Sequence, residues 1–244
     1  AHAAAIRSAG SLYTVRLATA FNSNRADYSP ALLGTDKEQQ LYFTSNRNAA
    51  AGSTLSGITG QKPGDLFVVR RDEKGRWKTP ELIEALSSED DEGAPAFSPD
   101  GKTLYLTACT THPEYPRMAE IRTSARTDAA WGKPQTLKIS ADTLSNYAHP
   151  APSPDGRWLY FVSDMPGGEG ELDLWRARIG GEKGVGSIEN LGPSVNTPGN
   201  EEFPTFRPDG TLHIRLHYTD WMTVVDILVP SEPDGKVEIK VNEK

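Results

Sequence analysis

Apolar positions in this chain come in short alternating runs separated by turn-forming residues. Leu172-Asp173-Leu174-Trp175-Arg176-Ala177-Arg178 alternates, and Leu41-Tyr42-Phe43, Leu104-Tyr105-Leu106 and Leu159-Tyr160-Phe161 are compact runs of β-formers. Period two predicts strands, and the 3.6-residue spacing of an amphipathic helix is absent. Several of these runs follow one recurring phrase. It reads Pro95-Ala96-Phe97-Ser98-Pro99-Asp100-Gly101, then Pro150-Ala151-Pro152-Ser153-Pro154-Asp155-Gly156, then Pro204-Thr205-Phe206-Arg207-Pro208-Asp209-Gly210, with the Asp residues 55 and 54 positions apart. A weaker first copy runs from Pro30 to Asp36. Self-similarity at a fixed period marks a repeat architecture, in which each unit buries its apolar face against its neighbours.

The phrase predicts a β-hairpin. Pro presets φ at the second turn position, Asp bonds to nearby backbone, and Gly takes the left-handed conformation. Third strands are expected at Asp65–Arg70, Ala119–Thr123 and Leu172–Arg178. Fourth strands are expected after Gly75 and around Trp131, because Trp77-Lys78-Thr79-Pro80 and Trp131-Gly132-Lys133-Pro134 share one offset. Four strands per unit of roughly 40 to 55 residues is a propeller blade, so the expected fold is an all-β propeller of four-stranded blades. Residues 1–11 read as a linker or helical stub from a preceding domain, and 12–244 as the propeller. Leu12–Leu17 is expected to complete a sheet begun at the C-terminus and close the ring. That count favours five blades, with four as the alternative.

Composition narrows the partners. The chain of 244 residues has 22 Gly and 18 Pro, a load suited to a turn-rich β fold that buries roughly three quarters of its unfolded surface. Its formal net charge is −7 and no basic run occurs, which argues against nucleic acid and anionic membranes as partners. No apolar stretch is long enough to span a bilayer, so direct membrane insertion is not expected. The single Cys109 excludes an internal disulfide and reads as a small core residue. The start at Ala1, with no signal peptide, suggests a processed protein or an excised domain.

Phe97-Ser98-Pro99-Asp100-Gly101, Leu159–Asp164 and the run Gly167–Trp175 resemble TolB-type propeller repeats. The stretch Asn190-Leu191-Gly192-Pro193-Ser194-Val195-Asn196-Thr197-Pro198-Gly199-Asn200-Glu201-Glu202-Phe203-Pro204 is similar to inter-blade segments of propellers fused to OmpA-like domains. That resemblance covers about residues 12 to 210. It implies a non-catalytic docking platform in the periplasm, associated with the outer membrane. Its partners would be other envelope or secretion-system proteins, the type IX system among them. Peptidoglycan would be reached only through a neighbouring domain, and no cofactor is implied. The segment His217–Leu228 departs from the repeat, keeping only Asp226-Ile227-Leu228 of the third-strand pattern.

Candidate chemistry gathers on the face opposite the Pro-Asp-Gly turns. Three positions before each leading Pro stand Asp27, Glu92, Tyr147 and Glu201, with Arg47, Asp164 and His149 nearby. These acids could ring a channel mouth and bind a cation or a basic peptide, or they could accept hydrogen bonds from backbone amides in neighbouring blades. Repetition of the position favours the second. A glycoside hydrolase or glycan-binding module is the rival reading, since propellers can carry a carboxylate pair at the channel mouth. His149 reads as structural, and five His with one Cys make no metal-ligand pattern. The Gly167–Glu171 run lacks a following helix and a P-loop Lys, so it reads as a flexible loop, not a phosphate cradle. No Gly-x-Ser-x-Gly elbow supports a serine hydrolase. Trp77 and Trp131 are expected to pack between blades. The non-repeating insert Asn48–Pro63, with Leu55 and Ile58 as its isolated apolar residues, is the candidate partner-contact loop.

Overall fold

In the computed structural model of the chain, residues 18–35, 38–53, 55, 61–110, 118–128, 130–180, 184–207, 209–218, 221–228 and 238–241 are described. They form four antiparallel sheets, each following chain order. The first holds β1 (Asp27–Leu33), β2 (Gln40–Ser45), β3 (Asp65–Arg70) and β4 (Glu81–Leu82). The second holds β5 (Asp91–Phe97), β6 (Thr103–Thr110) and β7 (Met118–Thr127), with β8 (Ala130–Trp131) and β9 (Gln135–Thr136) both paired to β7. The third holds β10 (Tyr147–Pro152), β11 (Trp158–Ser163), β12 (Asp173–Arg178) and β13 (Ile188–Asn190). The fourth holds β14 (Asn200–Phe206), β15 (Thr211–Tyr218), β16 (Trp221–Leu228) and β17 (Glu238–Val241). The fold is a β-propeller. The described blades number four, where the repeat count favoured five, and Leu12–Leu17 lies outside the described residues.

The hairpin turns form as their residues dictate. Gly101 N–H donates to the Ser98 carbonyl at 2.8 Å, and Ser98 Oγ donates to Asp100 Oδ1 at 2.6 Å. Asp100 Oδ1 also accepts the Lys102 amide at 3.1 Å. The turn at Ser153 repeats each of these bonds. Gly156 has φ +69°, and a Cβ there would meet nothing closer than 3.7 Å, so conformation alone requires glycine. Gly156→Ala should therefore lower the urea midpoint by the equivalent of about 1 kcal/mol, the cost of a left-handed non-glycine residue. An unchanged midpoint would mean the turn has another conformation.

The core lies between blades. Along β6, Leu104, Leu106 and Ala108 pack against Tyr42, Leu66 and Val68 of the first blade, while Tyr105 packs with Leu159 and Phe161 of the third. Along β11, Tyr160 and Val162 face Leu212 and Ile214 of the fourth. Both faces of the middle strands are thus buried, which is why their sequences read as continuous apolar runs. Trp131 packs between the first two blades as its sequence position suggested. Its ring stacks on Phe97 at 5.8 Å, and its Nε1–H donates to Tyr42 Oη at 3.0 Å. Trp77 meets Phe21 edge-on at 6.0 Å, with the Arg71 guanidinium 4.0 Å from its ring centre.

In the fourth blade β15 pairs with β16 from Thr211↔Leu228 to Tyr218↔Trp221. β15 ends at Tyr218 and β16 begins at Trp221, whereas β2 ends at Ser45 with β3 beginning at Asp65, and β11 ends at Ser163 with β12 beginning at Asp173. The described part of the departure at 217–225 is thus paired strand, and the third strand is longer than Asp226–Leu228.

Candidate functional site in the central channel

β1, β5, β10 and β14 surround one central channel and share one distortion. Their register with the next strand slips between Tyr28 and Ala31, Gly93 and Ala96, Ala148 and Ala151, and Glu202 and Thr205. At each slip sits a non-glycine residue with left-handed backbone: Ser29 (φ 49°), Ala94 (48°), His149 (51°) and Phe203 (51°). Each is followed by Pro, which cannot donate to a ladder and is tolerated at a bulge. A residue before Pro prefers extended backbone, and the left-handed region costs about 1 kcal/mol more, so these four sites hold local strain. The bulges bring the four residues to the channel wall.

Hydroxyls of the preceding blade anchor two of these bulges. Ala94 N–H donates to Thr44 Oγ1 at 3.1 Å, and His149 N–H donates to Thr107 Oγ1 at 2.9 Å. Val162 takes the same place in the third blade, paired opposite Ala148 as Thr44 is opposite Tyr28, and has no hydroxyl. The Phe203 amide instead donates to His149 Nδ1 at 3.4 Å, and the two rings stack at 3.8 Å and 21°. In the fourth blade the equivalent residue is Arg215, paired opposite Glu202. Its guanidinium carbon lies 4.8 Å from the Phe203 ring centre. Burial, and then the charge of Arg215, push the His149 pKa down to about 4. At neutral pH the imidazole is therefore uncharged, and its bond to the Phe203 amide leaves the proton on Nε2.

The channel encloses about 760 Å³. Its wall is apolar and aromatic, with Tyr28, Leu32, Phe97 and Phe206 around the His149–Phe203 stack and Arg215 as its cation. No lining residue among those described is an acid.

The expected carboxylates lie elsewhere. Asp27 accepts bonds from the Ser23 amide (2.6 Å) and hydroxyl (2.9 Å), from Ser45 Oγ (2.7 Å) and from Arg47 (2.7 Å). These bonds hold its pKa below the usual carboxylate range although burial pulls it upward. Glu92, 1% exposed, accepts from the Ser88 amide at 3.0 Å and hydroxyl at 2.5 Å, with Arg122 at 3.6 Å. Burial raises its pKa to about 7. Glu201, fully buried, accepts from Thr197 Oγ1 at 2.6 Å; burial raises its pKa too. Tyr147 Oη shares a 2.8 Å bond with Ser140 Oγ, and burial raises that phenol. A Ser or Thr four residues upstream thus clamps each of the three acids. These clamping donors come from the strand's own entry loop, and the further ones, Ser45 and Arg47 to Asp27 and Arg122 beside Glu92, belong to the same blade and not to its neighbour. Arg47 also donates to the Phe21 carbonyl at 2.8 Å and lies over the Phe43 and Phe67 rings. Asp164 binds the Asn146 amide at 2.6 Å.

Of the sequence-selected residues, His149 alone lines the channel. Phe203 and Arg215 were missed, although the column Thr44, Thr107, Val162, Arg215 is visible once the phrases are aligned. The Gly167–Glu171 run is a fitted loop, contrary to the flexible-loop expectation. The Glu169 and Gly170 amides close on the buried Asp173 carboxylate at 2.5 and 3.1 Å. A Cβ on Gly168 would sit 1.7 Å from that carboxylate, and one on Gly170 2.2 Å from the Thr197 carbonyl. Cys109, expected in the core, is partly buried at the end of β6, and burial pushes its thiol up to about 11. Leu55 is 57% exposed, and Ile58 lies outside the described residues.

No protein-family model and no curated protein matches the chain. Among solved structures it is similar to the α-L-arabinofuranosidase from Lactobacillus brevis, at 15% identity and TM-score 0.55, over 89% of this chain and 78% of that one. TolB from Acinetobacter baumannii aligns at 13% identity and TM-score 0.46, over 86% of this chain and 56% of TolB. A puromycin-hydrolyzing peptidase from Mycobacterium tuberculosis aligns at 18% identity and TM-score 0.46, over 83% of this chain and 29% of the peptidase. At such identities the likeness concerns the fold. The chain spans about half of TolB and under a third of the peptidase.

Proposed function

We propose that this propeller is a non-catalytic protein-interaction platform in the periplasm, part of an outer-membrane-associated envelope or type IX secretion assembly. The observation that carries the reading is the channel wall. Its described residues are apolar side chains, hydroxyls, one neutral imidazole and one guanidinium, which suits recognition of a ligand better than acid–base chemistry on one. The acids at positions 27, 92 and 201 are committed to holding entry loops. The TolB-type phrases and the Asn190–Pro204 segment support the envelope assignment.

A crosslinking pull-down from envelope extract tests it. Capture of a defined envelope or secretion protein, weakened at least severalfold by Leu55→Asp, is the expected result, since a charge at an apolar contact carries a desolvation cost. Loss of no partner on mutation would remove the insert from the interface, and capture of none by the folded protein would overturn the platform reading.

The second reading, a glycoside hydrolase or glycan-binding module, draws on the fold shared with the arabinofuranosidase. Hydrolysis of aryl arabinofuranosides that Glu92→Gln or Glu201→Gln abolishes without unfolding would favour it.

A further inference from the structure

We propose that the channel is a binding site for an organic carboxylate on an apolar body, with Arg215 taking the carboxylate and the Phe203–His149 stack the body. The inference rests on the docking reading and names the chemistry of what the channel accepts.

Three observations converge. Arg215 occupies the place that Thr44 and Thr107 use to anchor the next blade. In a repeat protein a residue that leaves the repeat is released from the repeat's structural duty. Second, that guanidinium forms no ion pair among the described residues, and the channel wall there has no acid. Its contact is the face of Phe203. A half-buried guanidinium without a counter-ion presents a planar fork of donors that matches a carboxylate. Third, His149 uses Nδ1 to accept the Phe203 amide, so its remaining ring nitrogen is a donor. It has no protein partner among the described residues. The two polar side chains flanking the stack therefore donate, which suits an anion.

The ligand's body follows from the rest of the wall. Tyr28, Leu32, Phe97 and Phe206 surround an opening of about 760 Å³, within the range of small-ligand sites. One guanidinium in an apolar channel favours a singly charged, weakly hydrated anion. Phosphate, more highly charged and more strongly hydrated, would need more cations than the wall supplies.

Titration of the full chain with phenylacetate and with its neutral isostere phenylacetamide, followed by NMR shifts or calorimetry, tests the site. The acid should bind roughly tenfold or more tightly than the amide, the discrimination expected of a charge-assisted fork. Arg215→Thr installs the residue of the first two repeats and should keep the melting temperature while weakening phenylacetate by a similar factor. Arg215→Lys should keep part of the affinity. Equal binding of acid and amide, undiminished binding by folded Arg215→Thr, or no binding of phenylacetate to the wild type would each overturn the proposal. The acid–amide comparison needs no variant, so it decides even if Arg215→Thr fails to fold. Phenylalanyl-phenylalanine and its C-terminal amide identify the source. Tighter binding of the free dipeptide than of phenylacetate points to a chain end, and weaker binding to a small acid; either supports the carboxylate site. Envelope capture that persists in Arg215→Thr would separate docking from the channel. Phenylacetate binding without any captured partner would instead remove the docking reading and leave the site.

Discussion

Trp131→Ala will destabilise the protein by about 3–5 kcal/mol, the range for removing a large buried aromatic from a packed interior. The indole joins two blades, and its loss acts at three contacts at once. It stacks on Phe97 at 5.8 Å, meets Tyr42 edge-on at 6.3 Å, and donates Nε1–H to Tyr42 Oη at 3.0 Å. Leu104, Leu106 and Leu66 close around the same space and are held by their own strands, so they cannot collapse into it. Trp131→Phe keeps most of the packing and loses the donor, and should cost about 1–2 kcal/mol. Urea denaturation of both variants measures the difference. A loss below about 1 kcal/mol for Trp131→Ala would mean that the blades are not coupled through this ring.

The second large effect is a pH dependence centred on Glu92. Its pKa is raised from 4.5 to about 7, first by burial and then by the Asp65 charge, against the bonds from Ser88 and the Arg122 cation. A carboxyl with a raised pKa stabilises the fold in its protonated form. The native state then binds more protons than the unfolded chain between those two values, so the contribution is complete below about pH 4.5 and is lost as pH rises through about 7. The loss is on the order of 3 kcal/mol at most. His149 acts in the opposite direction. Its pKa is lowered from 6.5 to about 4, so its contribution is complete above 6.5 and is lost as pH falls towards 4. Across the shared interval the two act in opposite directions. Glu92→Gln removes one side. The stability of the variant minus that of the wild type should grow by up to about 3 kcal/mol between pH 4.5 and 7.5, with the His149 effect cancelling in the difference. A difference independent of pH would show that Glu92 is ionised in the fold throughout.

The candidate site was half legible. His149 could be placed at the channel because it precedes Pro150 in an innermost strand, and position along a strand is a local property. Glu92 and Glu201 could be named but not oriented. Their carboxylates turn back to Ser88 and Thr197, four residues upstream, and nothing in the spacing of acids and prolines reveals that bend. Phe203 carries no local signal that sets it apart from other apolar residues before a proline. The glycines at 168 and 170 suggested freedom, whereas the fold uses them for close approach to Asp173 and to the Thr197 carbonyl.

What the sequence determined alone is the blade. The Pro-Asp-Gly turns, the alternating strands and the long apolar middle strands follow from φ preferences, side-chain hydrogen bonds and period-two burial, each acting over a few residues. What only the tertiary structure decided is which groups meet at the axis. That choice depends on the four left-handed bulges at Ser29, Ala94, His149 and Phe203, and on whether the preceding blade offers each a hydroxyl. Those conditions join residues about 50 positions apart, such as Ala94 with Thr44 and Phe203 with His149. Packing across blades sets them, because a backbone amide turned out of its ladder by a bulge must find its acceptor wherever the neighbouring blade provides one.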